Sequence, residues 1–320
     1  MHPLRTVFFG TAELACPSLR ALTDRADLQV LAVVTQPDRP QGRHLRLQAS
    51  PVKTAAAALN LPVWQPPRAK DPAFLEQLAT ARPDLALVVA YGQLLPPDLL
   101  RIPPHGFLNV HASLLPKYRG AAPIQWALLN GDAETGVTIM KIDEGLDTGD
   151  ILALRRTPIG PRETAPELHD RLAALGAALL LETIPPYLAG RLQPQPQPAQ
   201  GASYARKIRK EDGLLDWRRP AEELERQIRA LSPWPGAFTF LPAVPSPILL
   251  KIWEAEIVDG QGTAPGEIAE AGPDGMVVAC GQRALRVRVL QREGGRRVTV
   301  QAFLAGHRVP AGSRLSVPAT

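Results

Sequence analysis

The chain has 320 residues, 45% of them hydrophobic and 21% charged, which is enough apolar material for two packed cores and too polar for a membrane protein. Lys and Arg outnumber Asp and Glu by 19 to 18 over residues 1–205 and by 17 to 13 over residues 206–320, so the excess base lies at the C-terminal end and fits a polyanionic partner such as RNA. Only two cysteines occur, Cys16 and Cys280, with no Cys/His cluster, which argues against a disulfide framework and against a zinc site. No apolar run reaches bilayer length and residues 1–10 offer only Val7-Phe8-Phe9 as an apolar core, so a cytoplasmic location without membrane attachment is expected.

Residues 6–10 read as a buried strand, 11–23 as a helix and 28–34 as a second strand, together a βαβ unit that implies parallel pairing and an α/β fold. The single glycine of the first turn, Gly10, carries no dinucleotide or P-loop phosphate motif. Residues 37–49 have neither helical nor strand period and read as a loop with three arginines and a histidine. That loop is either a lid for a polyanion or a solvated insertion. Ser50-Pro51 supplies an N-cap and a first-turn proline for a helix through Leu59. A short strand at 63–65, a helix at 71–80 and an apolar strand at 85–90 follow, the last leaving through the turn Tyr91-Gly92.

Residues 106–110 form another apolar run that ends in Asn109-Val110-His111. Side chains two apart on a strand share a face, so an amide and an imidazole stand side by side at a strand-to-loop junction. Such a pair can stabilise an oxyanion and move a proton, although Asn-x-His alone is too short to identify a site. Loops at the C-terminal ends of strands line the crevice of an open α/β sheet, which puts the Tyr91 turn and the Asn109 stretch in one cleft. The apolar wall continues through Leu114-Leu115-Pro116, Pro123 and Trp126 and suits a flat aromatic ligand as well as a core.

Residues 136–142 and 150–154 read as a hairpin whose acidic loop, Asp143 to Asp150, does not match a calcium loop. The loop is expected to deliver one carboxylate to a neighbouring site. A helix is expected over 164–188, broken near Pro185-Pro186. The alternating proline-glutamine tract of residues 193–200 reads as a semi-rigid spacer outside any core and marks a domain boundary. Beyond it come the basic cluster Arg206-Lys207-Ile208-Arg209-Lys210, a helix over 221–231, and short strands over 238–241, 248–257, 266–269, 276–280 and 285–290, the spacing of a small antiparallel barrel.

Several stretches together resemble the methionyl-tRNA formyltransferase family along the whole chain: Phe9-Gly10-Thr11; Pro37-Asp38-Arg39-Pro40 with Gly42-Arg43; Ser50-Pro51-Val52-Lys53; Tyr91-Gly92; Asn109-Val110-His111 through Ser113-Leu114-Leu115-Pro116 and Tyr118-Arg119-Gly120; Asp147-Thr148-Gly149-Asp150; and Ser232-Pro233-Trp234-Pro235. The sequence departs from many members after Gly42-Arg43, where His44-Leu45-Arg46-Leu47 stands in place of their lysines.

The resemblance implies a Rossmann-like formyltransferase domain with a parallel sheet over residues 1–189, a linker over 190–206, and an OB-like tRNA-binding β-barrel over 207–320. It implies formyl transfer from 10-formyltetrahydrofolate, without a metal, to the amino group of methionyl initiator tRNA, by a monomer in translation initiation. Asn109, His111 and Asp147 match the family's catalytic trio. The donor is expected to lie against Ser113, Leu114, Leu115 and Pro116 together with Tyr91 and Gly92. For the acceptor, Arg39 and Arg43 are expected to meet the acceptor stem while Lys207, Arg209 and Lys210 hold phosphates. In the expected mechanism Asn109 and a neutral or protonated His111 donate to the tetrahedral oxyanion, and Asp147 orients His111, favours its charged form or orders a proton-shuttling water. A covalent acyl intermediate is not expected, because neither Ser113 nor Cys16 has a nucleophile motif. The alternative is a formyltransferase acting on an amino sugar nucleotide.

Overall fold

The computed structural model describes residues 2–41, 46–243, 246–260 and 264–316. In chain order the first part contains β1 (Leu4–Gly10), α1 (Cys16–Thr23), β2 (Leu28–Val34), β3 (Arg39–Gln41), β4 (Arg46–Gln48), α2 (Pro51–Ala58), β5 (Val63–Trp64), α3 (Pro72–Ala81), β6 (Leu85–Val89), α4 (Pro97–Leu100) and β7 (Phe107–His111). It continues through β8 (Arg119–Gly120), α5 (Pro123–Leu129), β9 (Glu134–Lys141), β10 (Ile151–Pro158), α6 (Ala165–Leu188) and β11 (Tyr204–Ala205). The later part contains α7 (Ala221–Ala230), β12 (Ala237–Leu241), β13 (Ile248–Val258), β14 (Ile268–Gly272), β15 (Gly275–Ala279), β16 (Ala284–Arg292), β17 (Arg297–Thr299) and α8 (Val300–Gly306). The chain clusters into two compact units, one made of 1–123, 134–158 and 169–206, the other of 124–133, 159–168 and 207–320.

The first unit is built on a seven-stranded sheet in the order β10-β9-β7-β6-β1-β2-β5. The five strands from β7 to β5 pair parallel, and the β9–β10 hairpin joins antiparallel at the β7 edge. All five residues of β6 are buried, as an uninterrupted apolar run in the middle of a covered sheet requires. One packed face gathers Phe9, Phe74, Tyr91 and Phe107 with Val7, Val34, Ala86 and Val88. Side chains of Asn109 and His111 follow Phe107 at two-residue intervals, so the apolar face of β7 turns polar where the strand ends.

Three expectations for these elements need correction. Residues 37–49 are not wholly a loop, since Arg39↔Gln48, Pro40↔Leu47 and Gln41↔Arg46 pair as an antiparallel ribbon. Strands of three residues, one of them with a central proline, have no readable period. The expected first helix begins as a 3-10 turn, Glu13–Ala15, and becomes α-helical at Cys16 with Pro17 in its first turn. Helix α6 runs through Pro185 and Pro186 to Leu188, because prolines lack a donor but keep their acceptors: the Pro185 and Pro186 carbonyls receive the N–H groups of Ala189 and Arg191.

The proline-glutamine tract is extended, yet it is no free spacer. Gln195 exchanges both backbone hydrogen bonds with Ile151 at 2.8 Å, and Tyr204–Ala205 pairs parallel with Arg119–Gly120.

The second unit carries an antiparallel sheet in the order β12-β13-β16-β15-β14, with β17 paired to residues 289–291 of β16. Helix α7 buries Ala221, Leu224, Gln227 and Ile228, spaced at helical intervals. The Gln227 amide donates to the carbonyls of Asp212 and Leu214, and buried Trp217 donates from Nε1 to Thr239 Oγ1 at 3.0 Å, so the core's polar atoms are satisfied locally. Helix α8, capped by Thr299 Oγ1, lies where only turns were expected.

Candidate active site

Asn109, His111 and Asp147 come together in the first unit although Asp147 lies 36 positions beyond His111. His111 ends β7 and is 6% exposed, while Asp147 arrives from the β9–β10 loop. Asp147 Oδ2 stands 3.6 Å from His111 Nδ1 and accepts the Gly120 N–H at 2.8 Å. Asp147 Oδ1 lies 3.5 Å from Asn109 Nδ2, the long limit of a hydrogen bond. The three side chains are therefore adjacent but loosely bonded to one another, as catalytic groups often are without substrate.

The other ring nitrogen of the imidazole decides which proton is available. His111 Nε2 lies 2.9 Å from the Tyr118 carbonyl oxygen, which can only accept, so Nε2 carries a hydrogen. In the neutral ring Nδ1 is then an acceptor, and Nδ1 becomes a donor only in the imidazolium. This corrects the expectation that neutral His111 also donates to an oxyanion. Tyr118 presents its carbonyl from a left-handed backbone, φ 64°, and its ring is buried.

The acidic loop is folded for close approach. Asp147 is itself left-handed, φ 53°, a conformation that costs a non-glycine residue on the order of 1 kcal/mol and persists only where surrounding bonds enforce it. Gly149 lies so close to the Lys141 carbonyl that a Cβ would stand 1.9 Å from that oxygen. The Asp143 carboxylate holds the other side of the loop through Thr148 Oγ1 at 2.7 Å and the Gly145 N–H at 3.0 Å.

The run after His111 serves mainly as framework. Ser113 is fully buried and donates to the Lys117 carbonyl at 2.6 Å. Thr138 Oγ1 donates to the Ser113 carbonyl and accepts from the Leu115 N–H, which pins the run to β9. Leu115 is buried; Leu114 and Pro116 are half-buried. Tyr91 was expected at the cleft, but its ring is 2% exposed and packs edge-on against Phe9 at 5.4 Å. Burial pushes the Tyr91 phenol up to about 12. Gly92 is exposed, so the Tyr91 turn can meet a ligand through main chain and not through the tyrosine ring.

At the base of the β3–β4 ribbon, Arg39 is exposed and donates to Gln36 Oε1, while the Gln36 amide donates to the Tyr91 carbonyl at 2.8 Å. Asp38 accepts from Lys53 Nζ at 2.7 Å and Gln65 Nε2 at 2.8 Å, and the Lys53 bond holds its carboxyl below the usual range. Arg43 lies outside the described residues. Lys207, Arg209 and Lys210 are exposed at the start of the second unit's long segment. Cys16 and Cys280 are free and buried, and burial raises both thiols, Cys280 to about 12, which leaves neither poised as a nucleophile.

The site also contains groups that sequence reasoning passed over: the Tyr118 carbonyl, the Gly120 N–H and Gln197. Tyr118-Arg119-Gly120 stood out as a motif without a role. Gln197 sat in a tract whose composition signals only extension. Among the described residues no cluster of three or more His, Cys, Asp or Glu side chains could hold a metal ion, and no helix is long and apolar enough to cross a membrane.

The formyl transferase family model matches residues 4–184, and that of the formyl transferase C-terminal domain matches residues 207–308. A methionyl-tRNA formyltransferase of Myxococcus xanthus (strain DK1622) is 50% identical over 310 residues, covering 97% of both chains. Another, from Geobacter sulfurreducens, is 47% identical over 315 residues, covering 98% of both. In fold the chain is similar to an N-formyltransferase from Helicobacter canadensis solved with folinic acid and dTDP-3-aminofucose, with TM-score 0.66 and 19% identity over 89% of this chain and 99% of that one. It is also similar to HypX from Aquifex aeolicus solved with tetrahydrofolic acid, with TM-score 0.63 and 17% identity over 94% of this chain and 47% of that one. At nearly half of its residues identical to these curated relatives, end to end, and with both formyl transferase domains matched, the chain belongs to the methionyl-tRNA formyltransferase family.

Proposed function

We propose that this chain transfers the formyl group of 10-formyltetrahydrofolate to the amino group of methionyl initiator tRNA, in the cytoplasm and as a monomer. Residues 1–189 carry the chemistry, 190–206 connect, and 207–320 help to hold the tRNA. The observation that carries this reading is the convergence of Asn109 Nδ2, His111 Nδ1 and the Asp147 carboxylate in a chain of this family. One amide donor, one imidazole nitrogen that can take and return a proton, and one carboxylate acceptor are the groups that an uncatalysed amine-to-formyl attack lacks.

In the transfer, a bond forms between the methionyl nitrogen and the formyl carbon, and the bond from that carbon to the folate nitrogen breaks. One proton leaves the amine and one reaches the departing nitrogen. Asn109 donates its amide hydrogen to the oxyanion of the tetrahedral stage. His111 moves the proton through Nδ1, because Nε2–H is committed to the Tyr118 carbonyl. Asp147, 3.6 Å away, stabilises the imidazolium when Nδ1 holds the proton. Leu114 and Pro116, half-buried, offer an apolar side to the pterin, joined by the Gly92 main chain.

For the acceptor, Arg39, Arg43, Lys207, Arg209 and Lys210 supply positive charge to phosphates. Replacing Lys207, Arg209 and Lys210 together by Gln is expected to raise KM for tRNA and to flatten the log–log salt dependence by about 2–3, at roughly 0.9 per lost phosphate contact. An unchanged slope removes these residues from the interface. Labelled formyl transfer to charged initiator tRNA, elongator Met-tRNA and amino sugar nucleotides tests the acceptor itself. Transfer confined to the sugar would overturn the reading. Likewise, an Arg43→Ala variant that formylates initiator tRNA normally at low tRNA concentration removes Arg43 from recognition.

A further inference from the structure

We propose that Gln197, in the proline-glutamine tract, is a positioning residue that holds Asp147 in its place beside His111. This inference rests on the catalytic reading of Asp147 given above.

The Gln197 side-chain amide uses its whole bonding capacity at one spot. Oε1 accepts from Arg119 Nε at 3.0 Å and from Arg119 Nη2 at 2.7 Å. Nε2 donates to the Asp147 carbonyl at 2.9 Å and to the Gly149 carbonyl at 2.8 Å. A flipped amide would set its NH2 against a guanidinium and its oxygen against two carbonyls, so the orientation follows from the partners. Both strands of structure that grip Asp147 are thereby joined through one side chain. Its own main chain is held at residues 147 and 149, and Arg119 precedes the Gly120 whose N–H holds the carboxylate at 2.8 Å.

Two further observations make this a clamp and not an incidental contact. Asp147 has φ 53°, a left-handed backbone that costs a non-glycine residue on the order of 1 kcal/mol. The tract that carries Gln197 is fixed on both sides, at Gln195 by its paired backbone bonds to Ile151 and at Ser203, whose Oγ and carbonyl accept the Tyr118 and Arg119 N–H groups. Gln197 is half-buried, so its four bonds are partly shielded from water.

The expected consequence is a rate effect without a binding effect. If Gln197 sets the carboxylate, losing it lets Asp147 drift from Nδ1, and a drift of about 1 Å in a catalytic group can cost up to 10²-fold. Single-turnover formyl transfer with wild type, Gln197→Met, Gln197→Glu, Asp147→Asn and the Gln197→Met/Asp147→Asn double variant tests this. Methionine keeps the length and packing without the hydrogen bonds, and glutamate keeps the acceptor for Arg119 but loses both donors.

Both Gln197 variants are expected to lower the chemical rate at least about tenfold while KM for donor and tRNA stays within about twofold. The double variant is expected to be no slower than Asp147→Asn alone, since the two residues then act through one element. Wild-type rates for Gln197→Met, or losses that multiply in the double variant, would overturn the inference while leaving the catalytic reading intact. A wild-type rate for Asp147→Asn would instead overturn the catalytic reading and this inference with it.

Discussion

Strands β6 and β7 lie side by side and run parallel, with Val88 paired to Asn109, yet their C-terminal ends are put to opposite uses. After β6 the chain turns through left-handed Ala90 and drives Tyr91 into the core. There the Tyr91 carbonyl takes two donors, Thr11 Oγ1 and Gln36 Nε2, both at 2.8 Å. After β7 the polar side chains remain at the sheet edge, and His111 uses one ring nitrogen for support while the other faces a carboxylate. Two adjacent strand ends thus divide into a packed turn and a cluster of polar side chains. What separates them is whether a buried titratable group finds no partner among the described residues, as the Tyr91 phenol does, or faces two, as His111 does in the Tyr118 carbonyl and the Asp147 carboxylate.

Substitutions can break this contrast in order of effect. His111→Ala removes the nitrogen proposed to move the proton and is expected to lower the single-turnover rate about 10³-fold with folding retained, because general acid–base groups contribute about 10² to 10⁴. A near wild-type rate would return β7 to the same scaffold role as β6. Asn109→Ala deletes the amide proposed to donate to the oxyanion and is expected to cost about 10²-fold in rate with little change in KM, the lower end for such donors. A change confined to KM would assign Asn109 to binding instead.

At the β6 end the effects should be on stability. Gln36→Leu removes a 9% exposed amide that serves the Tyr91 carbonyl, and is expected to lower unfolding free energy by about 1–2 kcal/mol, measured by urea denaturation. The rate at saturating substrates should change much less than in the β7 variants.

The smallest effect belongs to Tyr91→Phe. The Tyr91 hydroxyl is buried and has no hydrogen-bond partner among the described residues, so its removal should leave activity unchanged and stability equal or up to about 1 kcal/mol higher. The pH dependence sharpens this point. With the folded phenol pushed up to about 12 from an ordinary 10.0, the unfolded chain loses its proton first. The folded state then binds more protons than the unfolded one, and Tyr91 draws stability down as pH rises from 10 toward 12. The difference in stability between wild type and Tyr91→Phe should therefore widen across that window; a constant difference would mean that the ring is more open to solvent than its packing indicates.

Much of the scaffold was legible in the sequence because apolar runs have only a few places to go. β1, β2, β6 and β7 are each announced by consecutive or alternating Val, Leu and Phe, and Ser50-Pro51 marks the start of α2 with the cap that the fold uses, Ser50 Oγ accepting the Lys53 N–H at 3.0 Å. The β3–β4 ribbon was hidden because two short strands around prolines carry no periodic signal. Pro185-Pro186 looked like a break because proline's missing donor is visible in sequence, whereas its retained acceptors are not.

For the site, the sequence by itself determined the chemical types: an amide and an imidazole two apart on a strand end, and an acidic glycine-containing loop able to bring a carboxylate. Only the tertiary structure decided how they are arranged. The Tyr118 carbonyl selects the tautomer of His111, the core claims the ring of Tyr91, and Gln197 joins the two segments that hold Asp147. These outcomes depend on backbone carbonyls and N–H groups, which every residue carries alike and which acquire direction only when the chain is folded.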